Sequence, residues 1–373
     1  MKQDLTNIAV RFHQAGYCFY VVGDSARRLY QGQEIQTLDA WTNADILFVA
    51  RTFDVDECPG EQDCSLRFPC GPWQVKLSCD PLNACRPPAT SPRLLRQVAQ
   101  RQCFTINSLL FDPAGDKFFD PTGCRTDIRS RVLRTTNGAL AEAGRQQLAR
   151  VFQAVYLESE EQFEPAGSLI EAIQDLDIQP SHELLPVIRQ GLQSVLTAQR
   201  PYRGLWRLHQ LGLLIRILPE LEPLPGCPQD KEFHPEGDVF VHTLECFRHV
   251  RHAPLPMALG LLFHDVGKPA TLTVDKHIHF PRHSSVGADI ARGALRRLGF
   301  PRGLSEEVQF YIRNHLLKRV LRHLENGQLA AFVRHPWFEN LLRIYRADIQ
   351  GSIGDLGEYR RLIKRIEPYR ARE

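Results

Sequence analysis

Apolar residues change their spacing near residue 138, and that change restricts the chain to at least two kinds of domain. Up to residue 137, short β-rich runs (YCFYVVG, DILFVA, WQVKLSC, FTINSLLFD) alternate with Gly and Pro. This is the pattern of an α+β head with a small mixed sheet and helices. From 138 onward, segments such as ALAEAGRQQLARVFQAVYLE and YRGLWRLHQLGLLIRILPEL repeat apolar residues at three- and four-residue steps, which predicts helices. Past residue 229 the pattern stays helical, but histidines now occupy helix positions. The Pro-rich segment LEPLPGCPQDKEFHPEG predicts a linker between the two helical parts, and DPLNACRPPATSPR a loop within the head. The expected division is therefore a head (1–137), an all-α neck (138–228) and an all-α C-terminal domain (229–373). A chain of 373 residues is too long for one ordinary core in any case.

Composition excludes several classes. No stretch is apolar for long enough to span a bilayer, and MKQDLTNIAV lacks the order of a secretory leader. Ten cysteines include no CxxC pair, and seven lie between Cys58 and Cys124. They read as reduced thiols of a cytoplasmic protein. The net charge of +3 says little about partners, but ARGALRRLGFPRG and EYRRLIKRIEPYRARE concentrate Lys and Arg. Such runs are either solvated helix faces or contacts to a phosphate backbone.

The chemistry concentrates in the stretch LLFHDVGKP, Leu261 to Pro269, where an apolar helix ends in His264 and Asp265. Neighbours on a helix differ by about 100° around its axis. The two side chains can reach one point only at the helix end, where Gly267 and Pro269 stop this helix. His242, His283, His315 and Asp348 lie in further apolar helical contexts, with Ser284 or Ser285 a possible cap for the His283 helix. A buried imidazole without a partner costs roughly 1–3 kcal/mol, so several together call for a shared partner. A divalent metal supplies one. Imidazole and carboxylate suit Mn, Fe, Co, Ni or Zn, and oxygen donors suit Mg. Lys268, just past the helix end, and Arg282, beside His283, are assigned to the oxygens of a bound phosphate.

The segments HTLE, FHDVGKP, RHSSVGA, RNHLL and YRADI occur in the order of the HD superfamily of metal-dependent phosphohydrolases, which this region resembles. The resemblance implies that His242, His264, Asp265 and Asp348 hold one metal. It further implies that His283 and His315 hold a second, with Asp265 bridging, and that Asp265 and Lys268 serve the hydrolysis of phosphoesters.

The first half, through YVVGDSARRLYQG, RQCFTINSLLFD and FFDPTGCRTDIRSRVLRT, resembles the bacterial CCA-adding tRNA nucleotidyltransferase and poly(A) polymerase family. Its departures from that family are specific. The phosphate-binding signature Gly-Gly-x-Val-Arg-Asp reads Gly23, Asp24, Ser25, Ala26, Arg27, Arg28. The metal-holding Asp-x-Asp reads either Thr37 with Asp39 or Asn43 with Asp45, and the strand-like run DILFVA favours the second. Arg-Arg-Asp reads Arg101, Gln102, Cys103, and the neck motif reads Glu142, Ala143, Gly144, Arg145, Gln146. Gly23, Asp24, Arg27 and Asp45 thus mark a degenerate site in a head kept for shape.

The resulting expectation is an HD phosphohydrolase acting on RNA 3′ ends, with a silent head that docks tRNA or other RNA. Three other readings remain open: a hydrolase of small nucleotides with a purely structural head, a non-catalytic RNA-binding protein, and residual tRNA nucleotidyl transfer.

Overall fold

The protein is described here from a computed structural model. The structure describes residues 2–55, 65–80, 91–136, 140–141, 144–230, 232, 235, 237–352 and 354–370. It forms two compact units. One comprises Met1–Glu142 with Glu164–Ala172, and the other Ala143–Phe163 with Ile173–Glu373. The expected neck and C-terminal domain therefore share the second unit. Most of the Pro-rich run DPLNACRPPATSPR lies outside the described residues, as do Cys58, Cys64 and Cys85.

The head is a six-stranded mixed sheet of β1 (Phe19–Val21), β2 (Thr37–Thr42), β3 (Ser65–Cys70), β4 (Trp73–Cys79), β5 (Leu110–Asp112) and β6 (Lys117–Phe119). The strand order is β3-β4-β2-β1-β5-β6. Only β2 and β4 run parallel; the other neighbours are antiparallel. Side chains alternate across such a sheet. Phe19, Val21, Leu38 and Ala40 accordingly join Leu5, Ala9 and Phe12 of the helix Lys2–Gln14 on one face. Tyr20, Val22 and Trp41 meet Leu94, Leu95 and Val98 of the helix Pro92–Gln100 on the other. The head is thus a three-layer α+β unit.

The run DILFVA is a helix, not a strand. Ile46–Phe53 is α-helical, and Asp45 is its N-cap, accepting a hydrogen bond from the Phe48 amide at 2.8 Å. A short apolar run does not by itself separate a buried strand from a helix, and here the capping carboxylate decides.

Among the described residues the regular structure of the second unit is helical apart from the short pairing of Thr273–Val274 with Ile278–His279 and a single bridge between Pro228 and Asp238. The helix Leu255–Phe263 is buried from Met257 to Phe263, so it packs on all sides rather than along one stripe. The linker expected before residue 238 is folded onto the unit. Val239 N donates to Cys227 O at 3.1 Å, Gly226 N donates to Asp238 Oδ2 at 2.5 Å, and Leu224, Cys227 and Gln229 are buried. Among the described residues no helix is long and apolar enough to cross a membrane.

Candidate metal centre

The helix Leu255–Phe263 stops at His264, its C-cap. The turn that follows aims His264 and Asp265 at the same buried point. His242 comes from the middle of the helix Val239–Phe247, and Asp348 from the helix Phe338–Gly351. His283 is the first residue of the helix His283–Arg297, whose N-cap is Arg282, with φ 58° and no side-chain cap. The cap expected from Ser284 or Ser285 is absent because both already lie inside the helix. His315 ends the helix Arg302–Asn314.

The structure brings all six side chains together. His242 Nε2 lies 3.3 Å from His264 Nε2 and 3.1 Å from Asp348 Oδ1. His283 Nε2 lies 3.2 Å from His315 Nε2. Asp265 joins the two groups. Its Oδ2 is 3.1 Å from His264 Nε2, and its Oδ1 is 3.5 Å from His283 Nε2 and 3.6 Å from His315 Nε2.

These donors fit a divalent cation for a reason internal to the structure. The Nδ1 atoms of His264, His283 and His315 lie 2.7, 2.8 and 2.7 Å from the carbonyls of Leu261, Phe280 and Ile312. Nδ1 is then the protonated nitrogen, and Nε2 presents a lone pair. Lone pairs of neutral imidazoles facing each other repel unless a cation lies between them. Ligand nitrogens about 2.0–2.1 Å from one ion stand at about the separations found here. Among the described residues the buried Asp265 Oδ1 accepts no hydrogen bond, as a carboxylate oxygen reserved for a cation would not.

The electrostatics agree with this arrangement. Burial pushes His315 down to about 4 and His283 below its ordinary value, so both are neutral imidazoles near pH 7. Burial opposes ionisation of Asp265, but the neighbouring His264 and Lys268 hold its carboxyl well below the usual range. Asp348 is likewise opposed by burial and held down chiefly by its hydrogen bond with His242.

Lys268 is not free to meet a phosphate, as the sequence had suggested. It is buried, its Nζ lies 2.7 Å from Asp265 Oδ2, and it donates to Gln229 Oε1. It therefore fixes and neutralises Asp265. Arg282 is exposed beside His283. Two residues of the centre escaped the sequence reading. Cys246 Sγ lies 3.6 Å from His242 Nε2 and joins His242, His264 and Asp348 as a possible ligand. Its position four residues after His242, one turn along the same helix, was the available signal. Gln229 carried no signal, since only the folding of the linker brings it to Lys268.

In the head, the structure gathers Gly23, Asp24, Arg27 and Asp39, and leaves Asp45 out. A Cβ on Gly23 (φ +65°) would sit 3.1 Å from Gln102 Oε1 and 3.8 Å from Asp39 Cβ. Ser25 Oγ donates to Thr37 O at 3.0 Å and accepts from Asp39 N at 2.9 Å. The strand opposite the glycine turn therefore carries Thr37 and Asp39. The alternative register fails physically: Asn43 is buried accepting from the Cys18 amide at 2.7 Å, and Asp45 is spent on its helix cap. Arg27 is fully buried and bonded to Asn107, Gln31 and Asp24. Replacing Asp45 by Ala should accordingly cost about 1 kcal/mol of head stability. Urea denaturation followed by near-UV signals of the head checks this, and an unchanged midpoint would argue against the cap.

The model of the HD domain family matches residues 239–345. The Bacillus stearothermophilus CCA-adding enzyme, solved with CTP, superposes with a TM-score of 0.66 at 21% identity, covering 98% of this chain and 82% of that one. The chain carries an HD domain on a CCA-adding enzyme fold. All six converging side chains lie within or just beyond the HD match, and Asp348 follows its end by three residues. The CCA-adding fold also embraces the head. A tRNA nucleotidyltransferase solved with primer tRNA and an ATP analog superposes with a TM-score of 0.58 at 16% identity, over 98% of this chain and 99% of the other. Among curated proteins, the Multifunctional CCA protein of Halorhodospira halophila is 32% identical over 271 residues, 70% of this chain and 65% of that protein. The Multifunctional CCA protein of Neisseria meningitidis serogroup C is 28% identical over 270 residues, 69% of this chain and 63% of that protein. The matched region thus spans less than two thirds of either relative.

Proposed function

We propose that the HD domain is a metal-dependent phosphoesterase acting on RNA 3′ ends, in particular 2′,3′-cyclic phosphates and 2′-phosphates. The single observation behind this reading is the pair of facing imidazole sets joined by the two oxygens of Asp265. His242, His264, Asp265 and Asp348 would hold one divalent ion, with Cys246 beside them. His283 and His315 would hold a second. Such ions make hydroxide available near neutral pH and offset charge on phosphate oxygens. The chain's own contribution is orientation. The carbonyls of Leu261, Phe280 and Ile312 fix the imidazole tautomers, Lys268 keeps Asp265 ionised, and Arg282 is exposed at the entry of the His283 helix for a substrate phosphate.

The test is an activity screen of the full chain, loaded in turn with Mn, Fe, Co, Ni, Zn and Mg. Its substrates are cyclic-phosphate RNA, 2′-phosphate RNA and mononucleotides. RNA ends should be hydrolysed, and a chelator should abolish the reaction. Hydrolysis of mononucleotides alone would move the substrate to small nucleotides, and hydrolysis of nothing under any metal would sink the proposal.

Residual tRNA nucleotidyl transfer is the second reading, and the comparisons favour it over hydrolysis. The curated relatives are named Multifunctional CCA proteins, and two of the structural neighbours were solved with CTP or with primer tRNA and an ATP analog. Against it stands the lone Asp39 where a pair of carboxylates would be needed to clamp two metals. Incubating tRNA that lacks its terminal nucleotides with labelled ATP and CTP separates the two readings.

A further inference from the structure

The basic run at the end of the chain is not spread around a solvated helix. Arg361 and Arg365, on the helix Gly357–Ile366, face Lys318 and Arg322, on the helix Leu317–Arg322, across a cavity of ≈ 310 Å³ floored by Leu321 and Leu362. The lining holds four cations and one carboxylate, Glu358, which Lys318 already pairs. Arg365 donates to Leu321 O at 3.0 Å and so ties the two walls together. Among the described residues Arg322 and Arg361 have no ion pair, and both are exposed to solvent. Two guanidinium forks standing in one concavity are suited to planar anions.

Two short connections link the walls of the cavity to the metal centre. Lys318 follows the ligand His315 by three residues, a reach of at most about 11 Å between Cα atoms. On the other side, Tyr345 lies one turn before Asp348 on the same helix and its ring is 6.4 Å from that of Tyr359 on the cavity's helix. Burial raises the Tyr345 hydroxyl to about 12, and the charges it feels include both Asp348 and the cavity's Glu358, Arg322 and Arg361.

We propose that this cavity is a subsite for the phosphodiester backbone of a single-stranded RNA end, holding the phosphates upstream of the scissile one through Arg322, Arg361 and Arg365. This rests on the hydrolase reading for its direction toward the metal centre. It adds that the substrate is an oligonucleotide rather than a mononucleotide, because a lone nucleotide would leave the subsite unused.

The experiment measures binding of a fluorescent single-stranded RNA oligonucleotide to the full chain without catalysis, over a salt series, for wild type and Arg322→Ala/Arg361→Ala. The double variant should bind roughly tenfold more weakly, and the slope of log affinity against log salt should flatten by about 1.4, or 0.7 per lost phosphate contact. Both replaced side chains are exposed, so an unchanged thermal melt is expected and separates loss of contact from loss of fold. An affinity and slope equal to wild type would overturn the subsite. Wild-type hydrolysis of bis(p-nitrophenyl) phosphate, run alongside, reports on the hydrolase reading separately. If binding responds to the variant while that ester is not cleaved, the subsite stands and the hydrolase reading falls.

Discussion

Replacing Asp265 by Ala should empty both halves of the metal centre and destabilise the domain by about 3–5 kcal/mol, the cost of breaking a buried ion pair from one side. The effect is large because one carboxylate serves three purposes. Oδ2 faces His264 and Lys268 at 3.1 and 2.7 Å, Oδ1 faces His283 and His315, and no hydrogen bond substitutes for the latter pair. Without Asp265 the Lys268 ammonium is left buried with only the neutral Gln229 amide and the Phe280 ring, 5.2 Å away, as partners among the described residues. The two consequences separate in a double variant. Asp265→Asn keeps the side-chain volume and removes the charge, and adding Lys268→Met removes the stranded ammonium. Asp265→Asn/Lys268→Met should recover most of the lost stability in denaturant titration while its metal content, measured after loading and dialysis, stays near zero. The coupling of the two sites in that cycle isolates the ion pair from the ligand role. Full metal content in Asp265→Asn would remove Asp265 from the centre.

The legible parts of the site were those encoded by local spacing. An apolar helix ending in His264 and Asp265, and imidazoles on apolar helical faces, announce themselves within single segments, and the structure brings those side chains to one place. What stayed hidden depended on contacts between segments or on competing local uses of one residue type. Asp45 looked like a remnant of a metal pair because it precedes an apolar run, yet an aspartate before an apolar run is equally a helix cap, and Phe48 takes it as one. Lys268 pointed toward phosphate only as long as its nearest carboxylate was unknown. Its partner Gln229 is 39 residues away in a linker, and no periodicity in a proline-rich segment forecasts where one amide will land. The head shows the same division. Alternation set its sheet faces, whereas the choice of Asp39 over Asp45 required the glycine turn to be placed over β2.

Gly267→Ala tests the backbone on which the second ligand group depends. A Cβ at Gly267 would overlap the carbonyl oxygen of His283 and lie 2.6 Å from the amide nitrogen of Gly287. These are main-chain atoms of the helix His283–Arg297 and cannot swing aside as a side-chain tip would. The helix must retreat from the turn after His264, taking His283 away from Asp265 Oδ1. Overpacking of this kind costs about 1–3 kcal/mol or more, and its chemical effect is asymmetric. The group Asp265, His283 and His315 straddles the separating elements, whereas the candidate group His242, Cys246, His264 and Asp348 stays on one side of them, on or at the end of helices other than His283–Arg297. Metal titration by calorimetry should therefore show weakened or lost binding at one class of site with the other retained. Gly293→Ala provides the contrast within the same helix: its Cβ meets nothing within 4 Å, so it should stabilise the domain by about 0.4–1 kcal/mol and leave metal binding alone. Equal behaviour of the two variants would mean that the close approach at Gly267 does not set the position of His283.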